Sequence, residues 1–181
     1  MTYRPDRRAV TRFLDKCDRS LRIAILSDIS GNAIAPDAVL DDIHAEGGDE
    51  YWILGDLVNQ GYDPVGVMER IFRLQKVNCV TGNTDCYLGK GGRRGPFFEC
   101  VMSEPALLNQ LVSVEQGNGW ARGAFSAKGW FEWLRDLPTK QRIVLPDGTR
   151  VLGVHALLVS DRLGFLAETT DSELIERFSD C

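Results

Sequence analysis

The chain has 181 residues, 44% hydrophobic and 26% charged, the balance of one folded domain rather than of a disordered or membrane-embedded chain. Lys and Arg number 21 against 26 Asp and Glu, a net charge of -5, so no overall positive field holds a polyanion and nucleic-acid binding is not expected. The five cysteines, Cys17, Cys79, Cys86, Cys100 and Cys181, are odd in number and form no C-x-x-C pair, which disfavours a disulfide framework or zinc ribbon and points to a reducing, cytoplasmic setting.

Residues 1–20 carry Arg4, Arg7, Arg8, Arg12, Lys16 and Arg19 without a continuous apolar run, and read as an N-terminal extension rather than a signal peptide. Residues 21–181 form the expected domain. Arg22 to Ser27 is a short β-branched run, the pattern of a strand buried on both faces, and it ends at Asp28. A helix over Ile34 to Glu46 stops at Gly47-Gly48, and Tyr51 to Leu54 is a second strand ending at Gly55-Asp56. Pro64 opens a helix over Val65 to Leu74, and Val77 to Thr81 is a third strand closing at Gly82-Asn83. Such β-α-β-α-β alternation predicts a mainly parallel sheet with its ligands at the carboxyl ends of the strands.

Cys86 to Cys100, rich in glycine, reads as a mobile loop. Pro105 to Glu115 and Ser126 to Leu137 read as helices, with Trp120, Trp130 and Trp133 as packing residues. Gln141 to Leu145 and Arg150 to Val154 are strands joined by Pro146-Asp147-Gly148-Thr149, a hairpin turn, and the second ends at His155. Thr170 to Glu173 is a capping box for a helix reaching Phe178. No stretch approaches the roughly 18 apolar residues of a membrane helix, so no membrane partner is expected.

Asp28, Asp56, Asn83 and His155 thus each lie at the carboxyl end of a different strand. Hard oxygen ligands with an imidazole suit Mn, Fe or Zn, and a carboxylate between two ions can bridge them. Two such ions can activate water for in-line displacement at phosphorus. Singly, each residue also has a plainer reading, because Asp and Asn often cap the helices that follow strands.

The ordered series Asp28-Ile29-Ser30-Gly31-Asn32, Gly55-Asp56-Leu57-Val58, Gly82-Asn83-Thr84-Asp85 and Gly153-Val154-His155 resembles the motifs of the calcineurin-like metallophosphoesterases, in particular their small bacterial phosphodiesterase branch. The likeness runs from about residue 21 to residue 180. It implies a layered α/β sandwich with a mainly parallel central sheet, here C-terminally shortened. It also implies one or two divalent ions per chain: Asp28 on the first metal, Asp56 bridging, Asn83 and His155 on the second. Asp56, Asn83 and Asp85 are the implied catalytic residues, with Asn32 and Thr84 at the substrate. The implied reaction is attack of metal-bound hydroxide on a small phosphodiester or phosphomonoester.

Three departures mark this chain. Ser30 stands where the family usually has His, Thr84 where many members have His, and no G-H-x-H motif is present. The other of the two histidines, His44, lies mid-helix and is expected to face solvent. The alternative to an active hydrolase is therefore a catalytically impaired binding or regulatory module with the same fold. A sheet lacking an inner strand would also offer an open edge, and a homo-oligomer is the matching expectation. The Lys90, Arg93, Arg94 segment fails the Walker pattern and is left as a solvated loop at the site's edge.

Overall fold

The computed structural model describes residues 21–89, 95–157, 164 and 167–178, and of residues 95–98 the backbone alone. The N-terminal extension, Cys17, Cys181 and the Lys90, Arg93, Arg94 segment lie outside the described residues.

Strands β1 (Ile23–Leu26), β2 (Glu50–Leu54) and β3 (Val77–Val80) form a parallel sheet in the order β1-β2-β3, with Ile25 opposite Trp52 and Trp52 opposite Asn78. The crossovers contain helices α1 (Ala35–Glu46) and α2 (Pro64–Ile71). Asn32 Oδ1 accepts the Ile34 and Ala35 amides ahead of α1, whose last turn closes on Gly47. Asp63 caps α2 by accepting the Gly66 amide at 2.7 Å, and Pro64 fills the first turn. Helix α2 ends three residues earlier than its apolar pattern predicts, because Phe72 to Leu74 turn away to feed β3.

Ile53, Leu57, Val58, Val67, Met68 and Leu88 are fully buried and form one core with Phe125 and Leu134. Each such side chain contributes about 1.5–3 kcal/mol on leaving water. Strand β2 is buried along its middle, but β1 is not: Ile25 is 63% exposed. The expectation of a strand buried on both faces fails here because, among the described residues, β1 is an outer strand of the sheet.

Two further expectations are corrected. Most of the expected loop is helical: α3 (Asn83–Gly89) buries Tyr87 and Leu88, and α4 (Gly95–Ser103) follows. Burial of the Leu88 face outweighs the glycine-rich composition. Of the two expected helices beyond it, the first, after a 3-10 turn at Pro105–Leu107, extends into one long helix, α5 (Leu108–Lys128), and the second is reduced to the short α6 (Phe131–Arg135). Ala121 and Phe125 anchor α5 in the core, so it runs on through Gly117, Gly119 and Gly123. Trp130 and Trp133 pack edge-to-face on Phe72 at 5.2 and 5.1 Å, whereas Trp120 is 58% exposed and is not a packing residue.

Strands β4 (Lys140–Val144) and β5 (Arg150–Val154) form a separate antiparallel hairpin as expected. It docks on the parallel sheet through Gly153 against the Trp52 ring and Gln141 on Asn78. That docking carries the residue after β5, His155, over the ends of β2 and β3. The capping box forms as read: Thr170 and Glu173 exchange hydrogen bonds at the start of α7 (Asp171–Phe178). No helix among the described residues is long and apolar enough to cross a membrane.

Candidate metal centre

The polypeptide leaves β1 and β2 through two matching turns. Asp28 and Asp56 both adopt left-handed backbone, with φ of 55° and 54°, a costly conformation for a residue with a Cβ. The turns support each other: the Asp28 amide donates to Gly55 O at 3.1 Å and the Ser30 amide to Asp56 O at 2.8 Å. Gly82, after β3, lies so close to Asp56 that any Cβ there would overlap the Asp56 amide nitrogen and carboxylate. Gly55, at φ 83°, lies equally close to Gly82 and to the His155 ring.

These approaches bring Asp28, Asp56 and His155 together, each offering one ligand atom within 4.8 Å of the others. Asp56 is buried and Asp28 exposed, so the cluster opens to solvent on the β1 side. His155 Nδ1 lies 2.7 Å from the Leu54 carbonyl oxygen, which can only accept, so Nδ1 carries the proton and Nε2 of the neutral ring is bare. Nε2 faces Asn83 Oδ1 at 3.1 Å and Asp56 Oδ1 at 3.5 Å. Lone pairs on two carboxylates, an amide oxygen and an imidazole therefore converge, and the donor set fits a divalent cation.

All four expected ligands thus meet, with His44 excluded: it is exposed on α1, against the edge of Tyr51. Of the other named residues, Thr84 is buried and its amide donates to Asp56 Oδ1 at 3.0 Å. Asn32 spends its carbonyl oxygen on the α1 cap and retains its amide donors. Asp85 is fully buried and turned to the backbone, its two oxygens accepting the Leu57 and Gly82 amides at 2.9 and 3.0 Å. Burial pushes its carboxyl up to about 6 against the pull of the Gly82 amide, and the Asp56 charge adds to the rise. Asp85 ties the loop after β2 to the loop after β3.

Two contributors carry no signal that a motif reading detects. Ser27 Oγ donates to Asp28 Oδ2 and also reaches Leu54 O at 3.2 Å, orienting the exposed carboxylate. Leu54 acts through its carbonyl alone, which any residue would supply. The adjacency of Ser27 to Asp28 is the one hint available in the sequence.

A parallel sheet whose strand ends gather carboxylates, an amide and an imidazole defines an α/β protein with a candidate metal centre. The model of the calcineurin-like phosphoesterases matches residues 21–173, and the chain belongs to that family. Among solved structures it is similar to a metallophosphoesterase from Sphaerobacter thermophilus, with 26% identity and a TM-score of 0.55 over 82% of this chain and 52% of that one. It is also similar to a protein provisionally described as a diadenosine tetraphosphatase, with 26% identity and a TM-score of 0.46 over 77% of this chain and 51% of that one. The chain spans about half the length of both solved proteins. No curated protein matches it significantly.

Proposed function

We propose that this protein is a metal-dependent hydrolase of a small phosphodiester or phosphomonoester, its ions held by Asp28, Asp56, Asn83 and His155. The observation that carries the reading is the convergence of two carboxylates with the bare Nε2 of His155 on one point. Membership of the calcineurin-like phosphoesterases supports the reaction class. When bound, divalent ions there supply Lewis-acid polarisation of a phosphoryl oxygen and an acidified water.

The residues of the chain do the rest. Asp56, whose Oδ1 accepts the Thr84 amide and faces His155 Nε2, would hold the ions. The Leu54 carbonyl accepts from His155 Nδ1 and so orients the ring with Nε2 toward the cluster. Asn32 has its amide donors to offer a phosphoryl oxygen, and Thr84 a buried hydroxyl without a partner among the described residues. Asp85 acts as a positioning residue, through the two loops that it ties. The free thiols of Cys79, Cys86 and Cys100 support a cytoplasmic setting, and burial pushes the Cys79 thiol up to about 12, leaving it inert.

A second reading, a binding module holding at most one ion, is favoured by Ser30, which puts a hydroxyl where an imidazole would bind. One experiment separates the two: manganese-dependent hydrolysis of an aryl phosphodiester, with ion stoichiometry, for the parent and Asp56→Asn. We expect turnover and two ions in the parent and loss of both in the variant. Full activity in Asp56→Asn would overturn the site. An inactive parent with at most one ion would leave the binding module.

A further inference from the structure

Ser27 is the last residue before the left-handed turn at Asp28, and it stands beside the end of β2, because Leu26 pairs with Ile53 and Leu54 comes next. Its hydroxyl reaches two acceptors there, Asp28 Oδ2 and, at 3.2 Å, the Leu54 carbonyl oxygen. A serine hydroxyl has one proton and serves one of them at a time. The Leu54 carbonyl already accepts from His155 Nδ1 at 2.7 Å, and an ionised carboxylate is the stronger acceptor. The hydroxyl proton therefore goes to Asp28, and each of the two neighbouring acceptors has a donor of its own.

The two carboxylates of the cluster are held very differently. Asp56 is buried, and its Oδ1 accepts the Thr84 amide at 3.0 Å, whereas Asp28 is exposed. Among the described residues, the side chain of Asp28 accepts from the Ser27 hydroxyl alone. A carboxylate can meet a cation through one oxygen or through both. Calcium, which gathers about 6–8 oxygen ligands, gains from a carboxylate that offers both. A smaller ion gains instead from a single oxygen that is held in place before it arrives.

We propose that Ser27 is a positioning residue that occupies Asp28 Oδ2, leaves Oδ1 alone for an ion, and so biases the cluster toward a smaller divalent ion such as manganese over calcium. The inference deepens the proposed function and rests on its reading of Asp28 as a ligand. Ser27 acts through Asp28 and is not itself a ligand. Without its hydroxyl, Asp28 loses the donor that orients it, which costs a smaller ion its prepared oxygen, while Oδ2 becomes available as a second oxygen for calcium. Threonine keeps the hydroxyl, and valine has the shape of threonine without it.

The test is calorimetric titration of the purified chain with manganese and, separately, with calcium, for the parent, Ser27→Ala, Ser27→Thr and Asp56→Asn. Electron paramagnetic resonance of manganese gives a second measure of bound ion. We expect the parent to bind manganese more tightly than calcium, and Asp56→Asn to bind neither. In Ser27→Ala the manganese affinity should fall by about tenfold or more, the scale of losing a partner behind a metal ligand, while the calcium affinity holds or rises. Ser27→Thr should keep the parent ratio. Should Ser27→Ala fail to fold, Ser27→Val takes its place beside Ser27→Thr. An unchanged ratio in the variant without the hydroxyl, an equal loss for both ions, or a Ser27→Thr variant no better than Ser27→Ala overturns the proposal and leaves the site standing. A parent that binds neither ion, or an Asp56→Asn variant that binds as the parent does, overturns the site itself and this proposal with it.

Discussion

Around the ligand cluster, Gly55 and Gly82 are pressed against Asp56 and His155 with no room for a methyl group, whereas in helix α5 Gly117, Gly119 and Gly123 have, among the described residues, nothing within 4 Å of where a Cβ would be. The same residue type serves opposite ends. In the first region backbone must approach side chain closely enough for carboxylates and an imidazole to share a point, and glycine alone permits it. In the second it is a helix-weakening residue carried by tertiary packing, since Ala121 and Phe125 hold α5 in the core whatever lies on its outer face.

The sharpest way to break this contrast is Gly82→Ala. A Cβ there meets backbone as well as the Asp56 carboxylate, so the loop must move. We expect a loss of about 2–3 kcal/mol in chemical denaturation, the scale of an overpacked core, and loss of metal binding by calorimetry. Wild-type stability and affinity in that variant would remove the argument that close approach builds the site.

The opposite sign is expected in α5. Replacing Gly117, Gly119 and Gly123 by alanine should stabilise the protein by about 0.5–1 kcal/mol each, as helix propensity predicts where nothing obstructs the methyl. A triple variant that melts lower than the parent would show that these glycines serve a contact.

The smallest effect lies away from both regions, where Arg70 on α2 forks onto Asp37 on α1 at 2.6 and 2.7 Å. Its hydrogen bond, then its charge, hold the Asp37 carboxyl below the ordinary value of 3.8. A depressed carboxylate contributes stability above its unfolded value and loses it as pH falls through the folded one. The melting difference between the parent and Asp37→Asn should therefore be full at neutral pH and close below about pH 3.8. A gap that persists in acid would mean that Asp37 acts through something other than its charge. Because the pair is exposed, the gap should also shrink with salt.

Much of the site was legible because strand ends are legible. Three apolar runs each stop at a polar residue in a turn that contains a glycine, and that punctuation locates Asp28, Asp56 and Asn83 without any contact being known. His155 follows the same rule after the hairpin. The helical content was less legible where composition and burial disagree. Cys86 to Cys100 reads as a loop and the next helix as ending at Glu115, yet Leu88 and Phe125 bury enough surface to keep their segments helical. Trp120 shows the converse, a large aromatic residue left exposed because its helix turns a different face inward.

By itself, the sequence determined which chemical groups gather at the candidate site: the carboxylates, amide and imidazole that end its strands. Only the tertiary structure decided how those groups act. The protonated nitrogen of His155 is set by a backbone carbonyl at Leu54, 101 residues away, and Asp85 serves as a tie between loops because both amides that it accepts lie behind the cluster. The exposed flank of β1 was equally invisible, because an apolar run looks the same in the middle of a sheet as at its edge. Periodicity and punctuation are local properties of a chain, whereas hydrogen-bond partners and strand neighbours exist only once distant segments have packed.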